Sequence, residues 1–533
     1  MSDNTPVYLK PNVIAEPLVT QWYAWTHLIS PATAAMNIAN RHLSIMGSYV
    51  QAPHVHAAAV KNPDMLGGPF MDYGGRNRVE DVRTLVDRVH SEQSHMLEFA
   101  AGIKQLEEML EEKAKGYSLE PLYAEVPDVL KGYVELFYDL RDQPTYRVLE
   151  PLLYESPYYD RSFQSICLSL VEDDSDRPFS LSTPRFGDEG GYHLQIPFEH
   201  AGIDAMFRMK KEPKPLGWIR EQMGITNGNS EAFGEFFTEN APEPYEPYTG
   251  DALRMRYFGH ACLLIETRDV SILIDPVISY EYHSDLPRYT YADLPEKVDY
   301  VVITHNHQDH ILLETMLQLR HKVGTFVVPR NGTGALQDPS LKLCLHRLGF
   351  DNVAELDEME SLEIDGGSIR SLPFFGEHAD LAIRTKSAFL VTLGDSTMAF
   401  AADSCNIDPY LYRHVHRIVG NIDVLFLGME CDGAPLSWLY GPLISRPLER
   451  KKDHSRRLAG SNYERAIDLV ERFGCKEAYV YAMGMEPWLN YIMAKKYTDD
   501  SNPIIASKKM IEACREKGVL ADLLYGEREF LRR

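Results

Sequence analysis

The chain has 533 residues, 44% of them hydrophobic and 25% charged, with a mean hydropathy of −0.29. This length exceeds what one hydrophobic core usually organises, so we expect two domains of a soluble globular protein. The formal net charge of −24 argues against a nucleic-acid partner, because phosphate contacts need a basic surface.

The sequence also disfavours a membrane span and structural disulfides. No apolar run approaches the roughly 18 residues of a membrane helix, and Met1–Pro6 contains neither a basic region nor an apolar core. The seven cysteines are dispersed without a C-x-x-C pair, which indicates reduced thiols. We therefore expect a cytoplasmic protein with no membrane partner.

The N-terminal part of the chain mixes helical and strand patterns. Apolar residues at near 3.6-residue spacing predict one long helix from about 82 to 110, ended by Gly116, and a second helix is predicted around 129–138. Alternating apolar residues predict strands over 163–171 and 192–198. These patterns predict a mixed α/β domain without identifying its fold.

A proline-rich segment marks the predicted domain boundary. Residues 240–248 contain Pro242, Pro244 and Pro247, which exclude a helix or a central strand and favour a stiff linker. We therefore predict an N-terminal domain over 1–245 and a second domain over 246–533.

The second domain opens as a series of strands. Three are predicted over 254–258, 261–266 and 270–274, and the last of them ends in Asp275-Pro276. A fourth apolar run, 300–303, precedes the most informative motif of the chain. Later strands are predicted over 324–328, 388–393, 398–402, 424–427 and 477–481, and helices around 312–319 and 463–473.

The segment after the fourth strand reads T-H-N-H-Q-D-H and carries three imidazoles and a carboxylate. His305 and His307 occupy alternate positions and can reach one point, while Asp309 and His310 can reach a second point nearby. An H-x-H-x-D-H cluster of this kind predicts two adjacent metal positions.

This motif is that of the metallo-β-lactamase fold, and the surrounding sequence resembles that superfamily. The resemblance implies a four-layer αββα sandwich with the metals at one edge of the sheets. It also implies that Asp403, at the end of a predicted strand, is the carboxylate that bridges both metals. The alternative for Asp403 is a helix N-cap.

Two positions depart from the hydrolases of that superfamily. Where they place a third histidine, this chain has Gly376-Glu377-His378, so either Glu377 or His378 is the ligand, and we favour Glu377. A carboxylate ligand shifts the metal preference from zinc towards iron or manganese. No histidine follows the late strand 477–481, so the second metal would hold Asp309, His310 and Asp403, with open positions suited to O2. Glu430 or Glu486 could substitute as a ligand.

With these departures the whole chain resembles the non-haem diiron β-hydroxylases of chloramphenicol-type antibiotic biosynthesis. The resemblance implies an O2-dependent monooxygenase that hydroxylates the β-carbon of an aryl amino acid, L-p-aminophenylalanine. The amino acid is held as a thioester on a carrier domain of a non-ribosomal peptide synthetase. Two iron ions with an oxo or hydroxo bridge, O2 and an external two-electron donor are the implied cofactors, Glu377 and Asp403 are the implied catalytic residues, and a homodimer formed by the N-terminal domain is implied.

Three further predictions accompany this resemblance. The alternative function is a binuclear zinc or manganese hydrolase acting on a thioester, lactone or phosphodiester with the same ligands. His260 is either a group of the metal edge or a hydrogen-bonded structural histidine. A basic cluster stands out from the acidic background and is either a docking patch or a solvated face: Arg446, Arg450, Lys451, Lys452, Arg456 and Arg457.

Overall fold

A computed structural model describes residues 2–174, 177–187, 191–225 and 230–532. The strands of the N-terminal region are β1 (Pro6–Leu9), β2 (Val13–Val19), β3 (Trp22–Tyr23), β4 (Val134–Tyr138), β5 (Pro144–Val148), β6 (Gln164–Leu170), β7 (Tyr192–Leu194), β8 (Lys214–Pro215) and β9 (Phe237–Thr238). They form sheets of order β8-β1-β9 and β3-β2-β6-β7 and a β4-β5 hairpin.

Helices pack around these small sheets. They are α1 (Thr26–Ile29), α2 (Pro31–Asn37), α3 (Leu43–Gln51), α4 (Pro53–Ala59), α5 (Val79–Glu92), α6 (Ser94–Lys113), α7 (Glu150–Leu153), α8 (Ala201–Arg208), α9 (Leu216–Gln222) and α10 (Ser230–Gly234). A π-helical turn, Ile38–His42, joins α2 to α3. The region is mixed α/β, as its sequence patterns predict.

Two helix predictions for this region are wrong in part or in full. The helix predicted over 82–110 is two helices, α5 and α6, because the chain leaves helical geometry at Gln93, whose φ is −121° and whose side-chain amide donates to Thr20 Oγ1. The helix predicted over 129–138 is instead strand β4. Val134 and Leu136 are buried and alternate with exposed neighbours, a period of two that burial against α6 enforces.

The C-terminal region contains two seven-stranded sheets. Its strands are β10 (Leu253–Gly259), β11 (Cys262–Glu266), β12 (Ser271–Ile274), β13 (Val298–Val302), β14 (Val323–Pro329), β15 (Val353–Leu356), β16 (Ser361–Ile364), β17 (Gly367–Leu372), β18 (Ala388–Leu393), β19 (Ser396–Phe400), β20 (Val424–Gly428), β21 (Ala434–Pro435), β22 (Arg457–Leu458), β23 (Glu477–Tyr481), β24 (Leu520–Leu523) and β25 (Arg528–Arg532). The sheet orders are β15-β14-β13-β12-β11-β10-β25 and β16-β17-β18-β19-β20-β23-β24.

The two sheets stack face to face between layers of helices. The helices are α11 (Leu313–Leu319), α12 (Leu341–Arg347), α13 (Pro409–Val419), α14 (Leu436–Tyr440), α15 (Arg450–Ser455), α16 (Tyr463–Phe473), α17 (Asn490–Met493) and α18 (Asn502–Glu516). Side chains from both sheets, among them Val302 and Phe426, form one buried cluster between the sheets. Helix α11 packs on the outer face of the first sheet, and α16 packs on the outer face of the second. This is the four-layer αββα sandwich that the sequence predicts.

The segment 240–248 contains neither helix nor strand. A single buried cluster nevertheless joins both sides of it, because Val7 and Phe237 belong to the same cluster as Phe258 and Val301. The boundary at residue 245 stays a prediction. Within the described part of the chain, no helix is long and apolar enough to cross a membrane.

A buried ionic cluster also connects the two regions. Arg177 Nη2 lies 2.8 Å from Glu16 Oε1 on β2 and 2.6 Å from Glu314 Oε2 on α11. Arg185 Nε lies 2.9 Å from Glu16 Oε2, and the Tyr491 ring lies under Arg177 with its centre 3.5 Å from the guanidinium carbon. The cluster therefore couples an N-terminal strand to the helix that follows the histidine motif.

Replacing Glu16 by glutamine tests the strength of this cluster. We expect the free energy of unfolding to fall by about 3–5 kcal/mol, because two buried guanidinium groups lose a charged partner. Burial raises the pKa of Glu16, but Arg185 and Arg177 outweigh it and lower the pKa from 4.5 to about 2. The stabilisation is therefore present above pH 4.5 and is lost as the pH falls towards 2.

Denaturant titrations at a series of pH values measure both effects. The E16Q variant should lack the part of the stability loss that the wild-type chain shows between pH 4.5 and 2. Glu92→Gln is the matched control, since Glu92 pairs with Arg88 on an exposed face of α5 and its loss should change stability by less than about 1 kcal/mol. Equal pH dependence in E16Q and wild type would contradict the assignment.

Candidate metal centre

Parallel strands bring distant segments to one edge of the sandwich. Strands β12 and β13 are parallel neighbours in the first sheet, and β17 and β19 both run antiparallel to β18 in the second. Their carboxyl ends therefore meet at one edge, because chemically equivalent ends of parallel strands share a side. The segments that follow them carry Asp275, the histidine motif, Glu377 and Asp403.

The first cluster contains His305, His307 and Glu377. His307 Nδ1 lies 2.9 Å from Glu377 Oε1, and His305 Nε2 lies 4.0 Å from Glu377 Oε2. His305 Nε2 is also 3.7 Å from Asp403 Oδ2. These distances leave room for one ion among the nitrogen and oxygen atoms.

The second cluster shares Asp403 with the first. His310 Nε2 lies 3.2 Å from Asp403 Oδ2 and 3.7 Å from Asp309 Oδ2. The Asp403 carboxylate thus lies between His305 and His310, where one side chain reaches both clusters. This is the position that a bridging carboxylate requires.

Each imidazole of the motif uses one nitrogen outside the clusters. His305 Nδ1 lies 3.0 Å from Thr304 Oγ1, and His307 Nε2 lies 3.1 Å from Tyr440 OH. His310 Nδ1 lies 2.8 Å from Asp275 Oδ2, which also accepts the hydroxyl hydrogen of Thr304. The other nitrogen of each ring faces the clusters. Hydrogen bonds of this kind fix ring orientation in metal sites.

The unused atoms and the charge of the centre both fit metal ions. His305 Nε2 and Asp403 Oδ1 are buried without a hydrogen-bond partner among the described residues, and the Glu377 carboxylate is buried beside them. Together with Asp275 and Asp309, these side chains bring four carboxylates into one site, an arrangement that is unfavourable unless cations compensate it. Two divalent cations would supply that compensation.

Histidine charge supplies only part of this compensation. Burial lowers the pKa of His305 well below its usual value, so this ring stays neutral. Burial also disfavours the charged form of His310, but Asp309, Asp275 and Asp403 outweigh it and raise its pKa well above the usual value.

Unusual backbone conformations position the ligand side chains. Asp275, Glu377 and Ala402 have positive φ angles of 38°, 63° and 45°, which are unfavourable for residues with a Cβ atom. Gly428 at the end of β20 makes room for Asp403, because a Cβ at this position would lie 2.6 Å from Asp403 Oδ1. Backbone strain is therefore concentrated where the strands deliver the carboxylates.

Glu377 and His378 both lie at the first cluster. His378 Nδ1 is 2.9 Å from Glu377 Oε2 and 3.3 Å from the Gly376 carbonyl oxygen, so Nδ1 carries the hydrogen. Its Nε2 is buried without a hydrogen-bond partner among the described residues. Burial lowers the pKa of His378 to about 4 and keeps the ring neutral. The sequence-based preference for Glu377 stays a prediction.

His260 lies close enough to Asp309 and His310 for the three to share an ion, but the hydrogen bonds of its ring favour a role as a donor to Asp309. The backbone N–H of Gly484 donates to His260 Nδ1 at 3.1 Å, so the proton of the neutral ring lies on Nε2. Nε2 is 3.1 Å from Asp309 Oδ2 and therefore donates to that carboxylate. A nitrogen that carries a proton has no lone pair for a metal, and the geometry indicates a positioning role.

Glu430 and Glu486 are both held by other groups. Glu430 forms an ion pair with Lys495 Nζ at 2.5 Å and accepts the backbone N–H groups of Asp432 and Gly433. Glu486 accepts the backbone N–H of His260 at 2.9 Å and the hydroxyl of Tyr257. Among the described residues, neither glutamate belongs to a group close enough to share a metal.

A cavity of about 320 Å³ opens onto the centre. His307, Asp309, Glu377 and Asp403 form its polar end. Its apolar walls come from both regions of the chain: Leu66 and Leu181 from the N-terminal region, and Trp438, Leu439, Leu458, Ile492 and Met493 from the C-terminal region. Trp438 Nε1 donates to the Gly67 carbonyl oxygen at 3.0 Å and ties the two walls together.

The sequence reasoning missed two partners of the motif. Asp275 was noted only as the end of a strand, although a buried aspartate after an apolar run is a signal for such a role. Tyr440 had no signal, because it lies 133 residues from His307 along the chain. The six predicted site residues lie together at this edge, in three overlapping groups that also contain His260 and His378.

Two family models match the chain. Residues 8–242 match the N-terminal domain of diiron non-heme β-hydroxylases, and residues 254–431 match the β-lactamase superfamily domain. A 4-amino-L-phenylalanyl-[CmlP-peptidyl-carrier-protein] 3-hydroxylase of Streptomyces venezuelae is 38% identical over 97% of this chain and 98% of its own length. The chain belongs to the diiron non-heme β-hydroxylase family.

Solved structures agree with this assignment. The crystal structure of CmlA, a diiron β-hydroxylase from Streptomyces venezuelae, matches with a TM-score of 0.93 and 37% identity over 99% of this chain and 100% of that one. A glutamate-to-aspartate mutant of CmlA matches with a TM-score of 0.90 and 36% identity over 98% and 100%. The protein is therefore a diiron amino acid hydroxylase, and the hydrolase alternative is wrong.

Replacing His260 by alanine tests its role as a donor. We expect the hydroxylase to keep about two irons per chain with a 10- to 100-fold weaker iron affinity, because Asp309 loses the group that orients it. His310→Ala, the control, should lower the iron content itself. Elemental analysis across a titration with an iron chelator measures both. Loss of one iron in H260A, or an unchanged affinity, would contradict the donor role.

Proposed function

We propose that the enzyme hydroxylates the β-carbon of an aryl amino acid, 4-amino-L-phenylalanine, while the amino acid is bound as a thioester to a non-ribosomal peptide synthetase carrier domain. The full-length similarity to the Streptomyces venezuelae hydroxylase that acts on such a substrate is the observation that carries this proposal. The pathway would be antibiotic biosynthesis of the chloramphenicol type, in the cytoplasm.

We further propose a ligand for each position of the iron pair. His305, His307 and Glu377 would hold one ion, Asp309 and His310 the other, and Asp403 would bridge them. Glu377 lies 2.9 Å from His307 Nδ1 and 4.0 Å from His305 Nε2, and this position between the two histidines supports Glu377 over His378. The iron titration described above should show a lower iron content for Glu377→Ala and an unchanged content for His378→Ala. The reverse result would make His378 the ligand.

When bound, the two irons supply the activation of O2 for transfer of an oxygen atom to carbon. One oxygen atom enters the C–H bond at Cβ, and the other leaves as water after two electrons and two protons arrive from an external donor and solvent. The contribution of the chain is to hold Cβ beside the irons and to exclude bulk water.

The cavity suits an aryl side chain with a polar end at the irons. Trp438 and Leu181 provide flat and branched apolar surface for an aromatic ring, and Trp438 is fixed by its hydrogen bond to Gly67. Glu430, which pairs with Lys495, lies in the same cavity and offers a carboxylate to an amine of the substrate. The apolar walls exclude water from the reacting carbon.

We also propose a homodimer formed by the N-terminal region. Large apolar side chains are exposed in and beside the β4-β5 hairpin, including Tyr117, Tyr123, Phe137 and Leu140. Tyr123 OH accepts the backbone N–H of Leu136 on β4, so these residues lie close together. An exposed apolar patch of this kind favours a protein interface.

The activity is tested with the iron-loaded enzyme, a chemical reductant and isotopically labelled O2. We expect about two irons per chain, an optical change when the reduced enzyme meets O2, and one labelled oxygen at Cβ of carrier-bound 4-aminophenylalanine. Free 4-aminophenylalanine should react far more slowly, since it lacks the carrier. Equal turnover of the free amino acid, or no oxygen transfer to Cβ, would overturn the proposal.

The dimer is tested by sedimentation of a Phe137→Glu/Leu140→Glu variant. The two charges should convert a wild-type dimer into a monomer, because they place unpaired carboxylates in an apolar contact. Leu520→Glu, on an exposed side chain of β24 in the other region, is the control and should stay dimeric. A monomeric wild-type protein would contradict the interface.

A further inference from the structure

The basic cluster between residues 446 and 457 lies on the outer wall of the cavity that leads to the metal centre. Strand β22 pairs with β21, and both residues of β21, together with Leu458 of β22, line the cavity. Helix α15 directly precedes β22. Its Asp453 accepts the backbone N–H and the hydroxyl of Ser437 at 2.8 and 2.7 Å, which attaches α15 beside Trp438.

Two of the six basic residues have structural partners. Arg446 forms an ion pair with Glu111 on α6. Arg456 is half-buried, and its Nε donates to the Ala379 carbonyl oxygen at 2.8 Å. These two side chains therefore hold the segment against the rest of the protein.

The other four basic side chains are exposed. Arg450, Lys451 and Lys452 on α15 form no ion pair with any residue in the described ranges. Arg457 is exposed as well, and its Nε donates to the uncharged carbonyl oxygen of Asp432. We call these four residues the basic patch. Such a concentration of positive charge is unusual on a chain whose formal net charge is −24.

We infer that the basic patch is the docking surface for the carrier domain, which meets it with acidic side chains and with the phosphate of its phosphopantetheine arm. This inference rests on the proposed function, since only a carrier-bound substrate needs a docking surface. The arm must enter the cavity, so the carrier must sit at its rim. Away from the patch, the negative charge of the enzyme repels an acidic carrier domain. The patch therefore determines where the carrier binds and how it is oriented.

The test is the K451E/K452E variant, with the 4-aminophenylalanyl-loaded CmlP carrier domain as the probe. The iron-loaded enzyme is driven by a chemical reductant, so no electron-donor protein takes part. We expect kcat/KM for the loaded carrier to fall about tenfold or more through a higher KM, with kcat nearly unchanged. Added salt should weaken binding to the wild-type enzyme and have little effect on the variant.

A control with the same change in net charge reverses two lysines at the opposite edge of the sandwich, which pair with Asp423 and Glu471. Lys476 precedes β23 and Lys517 precedes β24, and both are exposed at the strand ends that lie away from the metal centre. K476E/K517E changes the net charge by the same amount and should leave KM unchanged. Iron content and thermal unfolding of both variants show that the fold is intact.

A small-molecule thioester of 4-aminophenylalanine separates docking from chemistry. In a single turnover it should react equally with wild type and K451E/K452E, because it needs no docking surface. An unchanged KM for the loaded carrier in K451E/K452E, or an equal rise in the control, would overturn the docking surface. A defect seen only with an electron-donor protein would overturn it too, since the patch would then serve the donor.

Direct calorimetry of carrier binding keeps this inference separate from the proposed function. If the wild-type enzyme binds the loaded carrier through the patch but transfers no oxygen to Cβ, docking stands and the proposed reaction fails. If the wild-type enzyme hydroxylates the carrier-bound substrate and K451E/K452E binds the carrier equally well, the reaction stands and the docking surface fails.

Discussion

Placing four carboxylates together in a buried site is strongly unfavourable unless cations lie among them. This constraint accounts for the arrangement around the histidine motif. Asp403 lies between His305 and His310, and Asp275 holds His310 from the far side. The sheet topology, the positive φ angles and the absence of a side chain at Gly428 bring the carboxylates close together. Metal ions would compensate the repulsion among these negative charges.

The N-terminal region completes this site without supplying a group to the two clusters. Leu66 and Leu181 close one wall of the cavity, and Trp438 is hydrogen-bonded to Gly67. The N-terminal region therefore encloses the metal centre in a cavity with largely apolar walls. Activity at a carbon atom, rather than hydrolysis by a metal-bound hydroxide, requires such exclusion of water.

Most ligands of the metal centre could be predicted from short stretches of sequence. The predictions that were wrong or missing concern features that depend on contacts between distant segments. The H-x-H-x-D-H motif and strands such as β18 and β23 were predictable, because their periodicity and spacing are properties of short segments. The helix predicted over 129–138 failed, since pairing with β5 decides the conformation there. Tyr440 could not be predicted, because only the folded chain brings it to His307 across 133 residues. The role of His260 could not be predicted either, because it depends on the backbone N–H of Gly484, which donates to Nδ1 and leaves the ring proton on Nε2.

The cluster around Arg177 makes the C-terminal sandwich dependent on the N-terminal region. Glu314 begins the helix behind the histidine motif, and its charge is compensated by a guanidinium group from the N-terminal region. Tyr491, next to the cavity wall, rests on the same guanidinium. A C-terminal half expressed alone would lose the Arg177 and Tyr23 side chains that pair with Glu314, and Tyr491 would lose its contact with Arg177. The sandwich is therefore not independent of the N-terminal region, and a shortened chain must keep Arg177 to neutralise Glu314.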